Sequence, residues 1–268
     1  MIDACASLRR TTFHGSSQLV LTQQIQWNEA WCPAAGRGVV VGLLDTNFDQ
    51  QQTDLLGADI VVRDFVGSLQ SGPELMQHGT HSVTTIVGQG HRYIRGIAPR
   101  VRLLVGTVVN PNAVARPQAL ANGILWLIEE GAQLVAMPLG GTVDYMVVRE
   151  QIRKGTRRGV IFFAARGSGW SKRALFPARD PTTIAVGAAD EDGSVWFDIK
   201  KASRLDLLAP GWNVSAPISR RAVAEMSGSS VACVVAVGAA ALAASAGMFA
   251  SGPLNRKGVL AVLRNRVS

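Results

Sequence analysis

The chain has 268 residues, 47% hydrophobic and 17% charged, which is enough apolar mass for one large α/β domain and too apolar for a disordered chain. Lysine and arginine exceed aspartate and glutamate by 27 to 19, a net charge of +8 that points to acidic partners or substrates. The three cysteines (Cys5, Cys32, Cys233) fit neither a disulfide framework nor metal-ligand spacing, and the N-terminus lacks the apolar run of a signal peptide, so reduced thiols in a cytoplasmic protein are expected.

In chain order, short apolar runs alternate with helix-period segments. Residues 38–44 (GVVVGLL), 101–105, 134–137 and 159–165 (GVIFFAA) are continuous and apolar, as strands of a parallel sheet buried on both faces are. A helix is expected to open at His78 and run to Ile86. Leu120, Ile124, Leu127 and Ile128 repeat at helical spacing before Gly131, and Tyr145, Val148 and Ile152 do so before Arg153, Lys154, Arg157 and Arg158. Strand-like runs at 182–186 and 205–208 follow, then a long apolar helix and a terminal one at 254–264. This alternation predicts an α/β fold with a doubly wound, mostly parallel sheet and helices on both faces. Residues 1–23 form an N-terminal extension and 24–268 a single domain. Residues 231–250 carry no charge and are long enough to cross a membrane. Their Ala-Val composition, with Gly238 and Gly247 inside, favours a helix buried at the centre of the domain.

Three motifs carry chemistry. Asp45-Thr46-Asn47 ends the first strand, where open α/β sheets place their sites, although an Asp there also simply makes a turn. His78-Gly79-Thr80-His81 uses two of the four histidines in the chain; a structural pair and a general base are both open, and a metal site lacks its third ligand. Ser227-Gly228-Ser229-Ser230-Val231-Ala232 runs into the apolar helix, so Ser230 sits where backbone N–H groups favour an oxyanion, or serves as a plain N-cap.

Together these motifs, in the order Asp, His, Ser, resemble those of the subtilisin-like serine proteases, the subtilases. DTN resembles D-[ST]-G, HGTH the histidine motif, and SGSSVA the G-T-S-M-A motif. Further matches fall in register: Gly96-Ile97-Ala98-Pro99; Met137-Pro138-Leu139-Gly140-Gly141; Phe176-Pro177-Ala178 through Ile184-Ala185-Val186-Gly187-Ala188; and Leu208-Ala209-Pro210-Gly211. The resemblance runs from about Gln24 to the C-terminus. It implies a triad of Asp45, His78 and Ser230, with Ser230 as nucleophile, His78 as base and then acid, and Asp45 orienting the imidazole. It implies that Pro138, Leu139, Gly140 and Gly141 bind extended substrate backbone, and that His81 packs within its helix. No cofactor and no metal are implied.

The family pattern breaks in places. Its oxyanion-binding Asn falls at Gly167, which has no side chain; in subtilisin itself, losing that amide costs about 10²–10³ in kcat. Ser168 or Arg166 is a candidate substitute donor, and Gly167→Asn is the direct test of the loss. Asn47 replaces a Gly but tolerates positive φ, Pro138 replaces a Ser, and Val234 stands where Pro often follows the serine motif. The segment 88–95 is too short for the calcium loop of secreted subtilases, and no inhibitory propeptide is recognisable.

HGTHS, IVGQ and IRGIAP are similar in particular to the intracellular subtilases that trim leader peptides in ribosomal peptide pathways such as cyanobactins. The expected function is therefore a slow or substrate-restricted serine endopeptidase. Its alternatives are a pseudoprotease that binds a peptide or partner, and a ligase or macrocyclase using the same acyl-enzyme. Basic clusters at Arg92–Arg102, Arg149–Arg158 and 200–204 read as solvated faces or as a site for an acidic substrate segment; neither nucleic acid nor membrane is expected as a partner.

Overall fold

The computed structural model describes residues 33–67, 73–110, 112–167, 173–195, 204–249 and 254–264. The boundary expected at residue 23 lies outside them. Seven strands form one sheet: β1 (Val40–Asp45), β2 (Ile60–Asp64), β3 (Arg102–Thr107), β4 (Leu134–Met137), β5 (Ile161–Ala165), β6 (Ile184–Ala189) and β7 (Leu207–Pro210). Their order is β2-β3-β1-β4-β5-β6-β7 and every pairing is parallel. A separate antiparallel hairpin joins β8 (Val214–Pro217) to β9 (Val223–Met226).

The strands alternate their side chains between two apolar layers. Val41 and Leu43 of β1 join the layer covered by α1 (Pro73–Val87), α4 (Ser229–Ser245) and α5 (Arg256–Arg264). Leu44 joins the opposite layer under α2 (Pro117–Glu129) and α3 (Met146–Arg157). The doubly wound sheet is as the sequence predicts, and the reason is burial on both faces, which makes the strands read as continuous apolar runs. α2 starts with Pro117 in its first turn, where a missing N–H costs nothing.

α4 is the apolar run. From Val231 to Ala243 every residue is buried, and the helix packs across the middle of the sheet. A helix apolar all round needs apolar cover on every side, and here the domain supplies it. Among the described residues no helix is long and apolar enough to cross a membrane.

Because β3 lies on one side of β1 and β4 on the other, the strand order reverses at β1. The loops after β3 and β4 diverge there and leave a crevice at the carboxyl ends of the strands.

Candidate active site

Asp45, the last residue of β1, lies at that crevice and is only 2% exposed. Its Oδ1 accepts the Thr46 N–H at 2.6 Å and meets His78 Nδ1 at 2.7 Å. Its Oδ2 is buried and has no hydrogen-bond partner among the described residues. A carboxylate so sparsely solvated gains from a neighbouring cation. Its charge accordingly raises the His78 pKa above the ordinary 6.5, against the opposing effect of burial.

His78 does not open its helix, as the motif suggested. α1 begins at Pro73, and His78 sits in its second turn. Gly79 is the point at which α1 touches the Asp45-Thr46-Asn47 turn. A Cβ there would strike the Asn47 carbonyl oxygen and lie 2.7 Å from that of Thr46. Glycine thus lets the helix close on the turn, and its N–H donates to Thr46 Oγ1 at 2.9 Å. With its side chain 36% exposed, His78 opens onto the crevice. His81 points the other way. It is buried, bonds the Val214 carbonyl at 2.8 Å and ties α1 to β8; burial lowers its pKa to about 4.

Ser230 is in the first turn of α4, behind an N-cap at Gly228. The first rung of the helix is Ala232 N–H to Gly228 O, at 3.1 Å, so the Ser230 N–H stands ahead of the ladder. One turn on, buried Cys233 bonds the backbone of Met137 and feels the charge of Asp45; burial is the main cause of its raised pKa. The first turn of α4 therefore abuts the carboxyl ends of β1 and β4, where Asp45 and the crevice wall are.

The turn after β5 closes the other side. Gly167 has φ of +95° and donates its N–H to Ser229 Oγ at 3.0 Å. Ser168 lies outside the described residues. Arg166 does not reach the crevice as a substitute donor. It is fully buried, with Nε donating to Arg204 O at 3.2 Å and Nη1 to Gly167 O at 3.3 Å.

The crevice is a cavity of about 600 Å³ reaching from Asp45 and His78 between two walls. One wall is formed by Val109 and residues 113–115, the other by residues 138–143 with Tyr145, and their rims expose Val114 and Val143 at 51% and 52%. Leu139 and Gly140 leave their backbone groups unpaired among the described residues, while Gly141 exchanges two 2.8 Å bonds with Phe176. Asp144 braces the second wall through Arg149 at 2.7 Å and Arg179 at 2.5 Å, and Arg179 also holds the Thr142 carbonyl at 2.6 Å.

The subtilase family model matches residues 36–254, which include Asp45, His78 and Ser230. The chain belongs to the subtilase family. Among its relatives, thermitase of Thermoactinomyces vulgaris is 29% identical over 238 residues, 88% of this chain and 85% of that one. An intracellular serine protease of Paenibacillus polymyxa is 28% identical over 230 residues, 82% of this chain and 71% of that one. The solved structure of the prenylagaramide maturation protease PagA superimposes with a TM-score of 0.67 at 26% identity, covering 81% of this chain and 79% of that one. Membership of this family supports a serine protease.

Where this subtilase departs from the family motifs, the structure shows how the backbone copes. Asn47 does not use a left-handed conformation, as its residue type had allowed. It is buried instead, with Oδ1 accepting the Phe48 N–H at 2.9 Å. Pro138 follows the last rung of the β4–β5 ladder, Met137 opposite Ala164, so its missing N–H takes nothing from the sheet. Residues 88–95 fold tightly onto buried Asp54, whose carboxylate accepts the backbone N–H groups of Arg92, Tyr93 and Ile94 at 2.5–3.1 Å. Of the basic clusters, Arg149 and Arg204 pair with acids, and residues 200–203 lie outside the described set.

The sequence reading passed over Ser229, Leu175 and the Asp144 brace. Ser229 lies inside the serine motif and Leu175 directly precedes Phe176-Pro177-Ala178, but nothing in their residue types announces the contacts they make.

Proposed function

We propose that this subtilase is a serine endopeptidase that hydrolyses peptide bonds through Asp45, His78 and Ser230, slowly or on a restricted substrate such as a leader or precursor peptide in the cytoplasm. The observation that carries the reading is the 2.7 Å contact between His78 Nδ1 and buried Asp45, with the imidazole open to the crevice. Ser230 Oγ attacks the peptide carbonyl as His78 takes its proton. The tetrahedral intermediate collapses to an acyl-serine, and the amine departs with the proton from His78. Water, deprotonated by the same imidazole, then cleaves the ester and restores Ser230. Asp45 holds the imidazole in register and stabilises its cation.

Leu139 and Gly140 offer the free backbone edge along which an extended peptide pairs. The restricted character is supported by Gly167, which lacks an amide side chain and spends its N–H on Ser229. The Ser230 N–H is then the donor left for the oxyanion among the described residues. The net charge of +8 favours an acidic segment in the substrate. A cytoplasmic setting rests on the relative named an intracellular serine protease.

The same observation at Gly167 favours the second reading, a pseudoprotease that binds peptide without cutting. Fluorophosphonate labelling read by intact mass separates the two. Labelling of the wild type that is lost in Ser230→Ala supports the protease, and no labelling of the folded wild type supports the pseudoprotease. If the serine labels, the product masses then distinguish hydrolysis from ligation, because a cyclised peptide lacks the added water.

A further inference from the structure

We infer that Asp144 is a positioning residue for peptide binding: it gathers two arginines that hold the outer half of the crevice wall in the pose that receives a substrate backbone. The inference rests on the protease reading above and concerns the stretch between Gly141 and α3.

The wall leaves the sheet after Met137 and is pinned once by the main chain, where Gly141 exchanges its two bonds with Phe176. From Thr142 to Asp144 the chain makes no backbone–backbone hydrogen bond among the described residues. The next is made by the Tyr145 carbonyl, which accepts the first N–H groups of α3. Thr142, Val143 and Tyr145 line the crevice and are exposed, so burial does not hold them either. Side chains supply what the backbone lacks. Arg149, in the first turn of α3, reaches one oxygen of Asp144 at 2.7 Å, and Arg179 reaches the other at 2.5 Å. The same Arg179 donates to the Thr142 carbonyl at 2.6 Å.

Both arginines are themselves anchored. Arg149 lies over Phe176, 5.8 Å from the ring centre, and its Nε faces the buried Asp180 carboxylate at 3.2 Å. The Arg179 N–H donates to Leu175 O at 2.9 Å. Asp144 therefore ties an otherwise unpaired stretch of wall to two fixed points. Without its charge the two guanidinium groups would be left beside each other, and like charges at this range repel.

The three side chains are 25–39% exposed, so each pair is worth a factor of only about 1.4–5. Two pairs meeting on one carboxylate give roughly 2–30-fold. Asp45, His78 and Ser230 stand on other elements, so the loss falls on binding and not on the chemical step.

The test is steady-state kinetics of the wild type, Asp144→Asn and Asp144→Glu on an uncharged peptide amide that the wild type cuts, selected from a synthetic library. Asp144→Asn should raise KM roughly 2–30-fold and leave kcat where it is. Asp144→Glu, which keeps the charge, should recover most of the loss. Raising the salt from about 0.05 to about 0.5 M should move the wild-type KM towards that of Asp144→Asn, whose own KM should hardly change, because exposed pairs are screened. Thermal unfolding checks that each variant folds. A purely structural role would lower the active fraction, so kcat would fall at constant KM. That result, or unchanged kinetics in folded Asp144→Asn, overturns the role of Asp144 and leaves the protease reading intact. A folded wild type that neither labels with fluorophosphonate nor cuts any library peptide overturns the protease reading instead. Fluorescence anisotropy with the same peptides then decides the brace: weaker binding by Asp144→Asn sustains it, and equal affinities or no binding overturn it as well.

Discussion

Replacing Gly167 with Asn looks like the way to restore the missing oxyanion amide, yet the structure predicts damage. Gly167 has φ of +95°, where an L-residue with a Cβ costs about 1–3 kcal/mol of backbone strain. The new Cβ would also lie 2.7 Å from Leu175 Cγ and Cδ1, well inside contact distance. Forcing atoms into a filled site costs about another 1–3 kcal/mol. The sum, roughly 2–6 kcal/mol, corresponds to a fall in Tm of roughly 4–24 °C for a domain of this size. Relief by moving the turn would pull on the 3.0 Å bond from the Gly167 N–H to Ser229 and disturb the first turn of α4. Calorimetry in a Ser230→Ala background, which avoids self-digestion, measures the loss of stability. Fluorophosphonate labelling of Gly167→Asn in the otherwise native chain should be slower than wild type. Adding Leu175→Ala should recover the packing part of the loss and leave the backbone part. A Gly167→Asn variant with unchanged Tm and faster labelling would refute this reasoning.

Two predictions concern pH. In the proposed mechanism His78 must be neutral to accept the Ser230 proton, and the Asp45 charge raises its pKa above 6.5. The acid limb of kcat/KM should therefore have its midpoint above pH 6.5, and Asp45→Asn should move it lower while cutting the rate by about 10⁴, as the loss of a triad carboxylate does elsewhere. His81 is buried neutral with a pKa lowered to about 4, while the unfolded imidazole takes up its proton near 6.5. The unfolded chain thus binds more protons between those values, and stability falls as pH drops from 6.5 towards 4, by about 3 kcal/mol in all from this residue. Thermal unfolding across that range should show a shallower decline in His81→Gln, and an identical decline would remove His81 as the cause.

The strands that the sequence reveals are those buried on both faces, because an uninterrupted apolar run is visible without tertiary context. β2 escaped notice for the opposite reason. It is a half-buried edge strand, and exposed Arg63 interrupts its apolar character. The β8–β9 hairpin escaped as well, since two four-residue strands containing Pro217 and Glu225 carry almost no period to detect. α1 begins at Pro73 and not at His78, because proline fits the first turn of a helix, where its missing N–H costs nothing, while no polar cap marks that start in the sequence. At the site, Asp45 and His78 stand 33 residues apart, and only their motifs suggested that they meet. The distances that matter around Gly167 depend on a backbone angle and on a leucine eight residues away, neither of which a residue type records.

Those distances change what the loss of the family Asn means. Taken alone, Gly167 is a deletion, an enzyme without one of its donors. In the structure it belongs to a unit with Leu175 and Ser229. The glycine adopts a conformation that a residue with a Cβ rarely takes. That conformation leaves room for the Leu175 side chain beside the turn. The backbone N–H of the same glycine holds Ser229, next to the proposed nucleophile. The position thus exchanges a side chain that would speed the chemistry for a packing contact with Leu175. The two residues share one filled space, so substitutions at 167 and 175 should couple rather than add. A simple degenerate site predicts additivity, because a donor already lost has nothing further to share with Leu175.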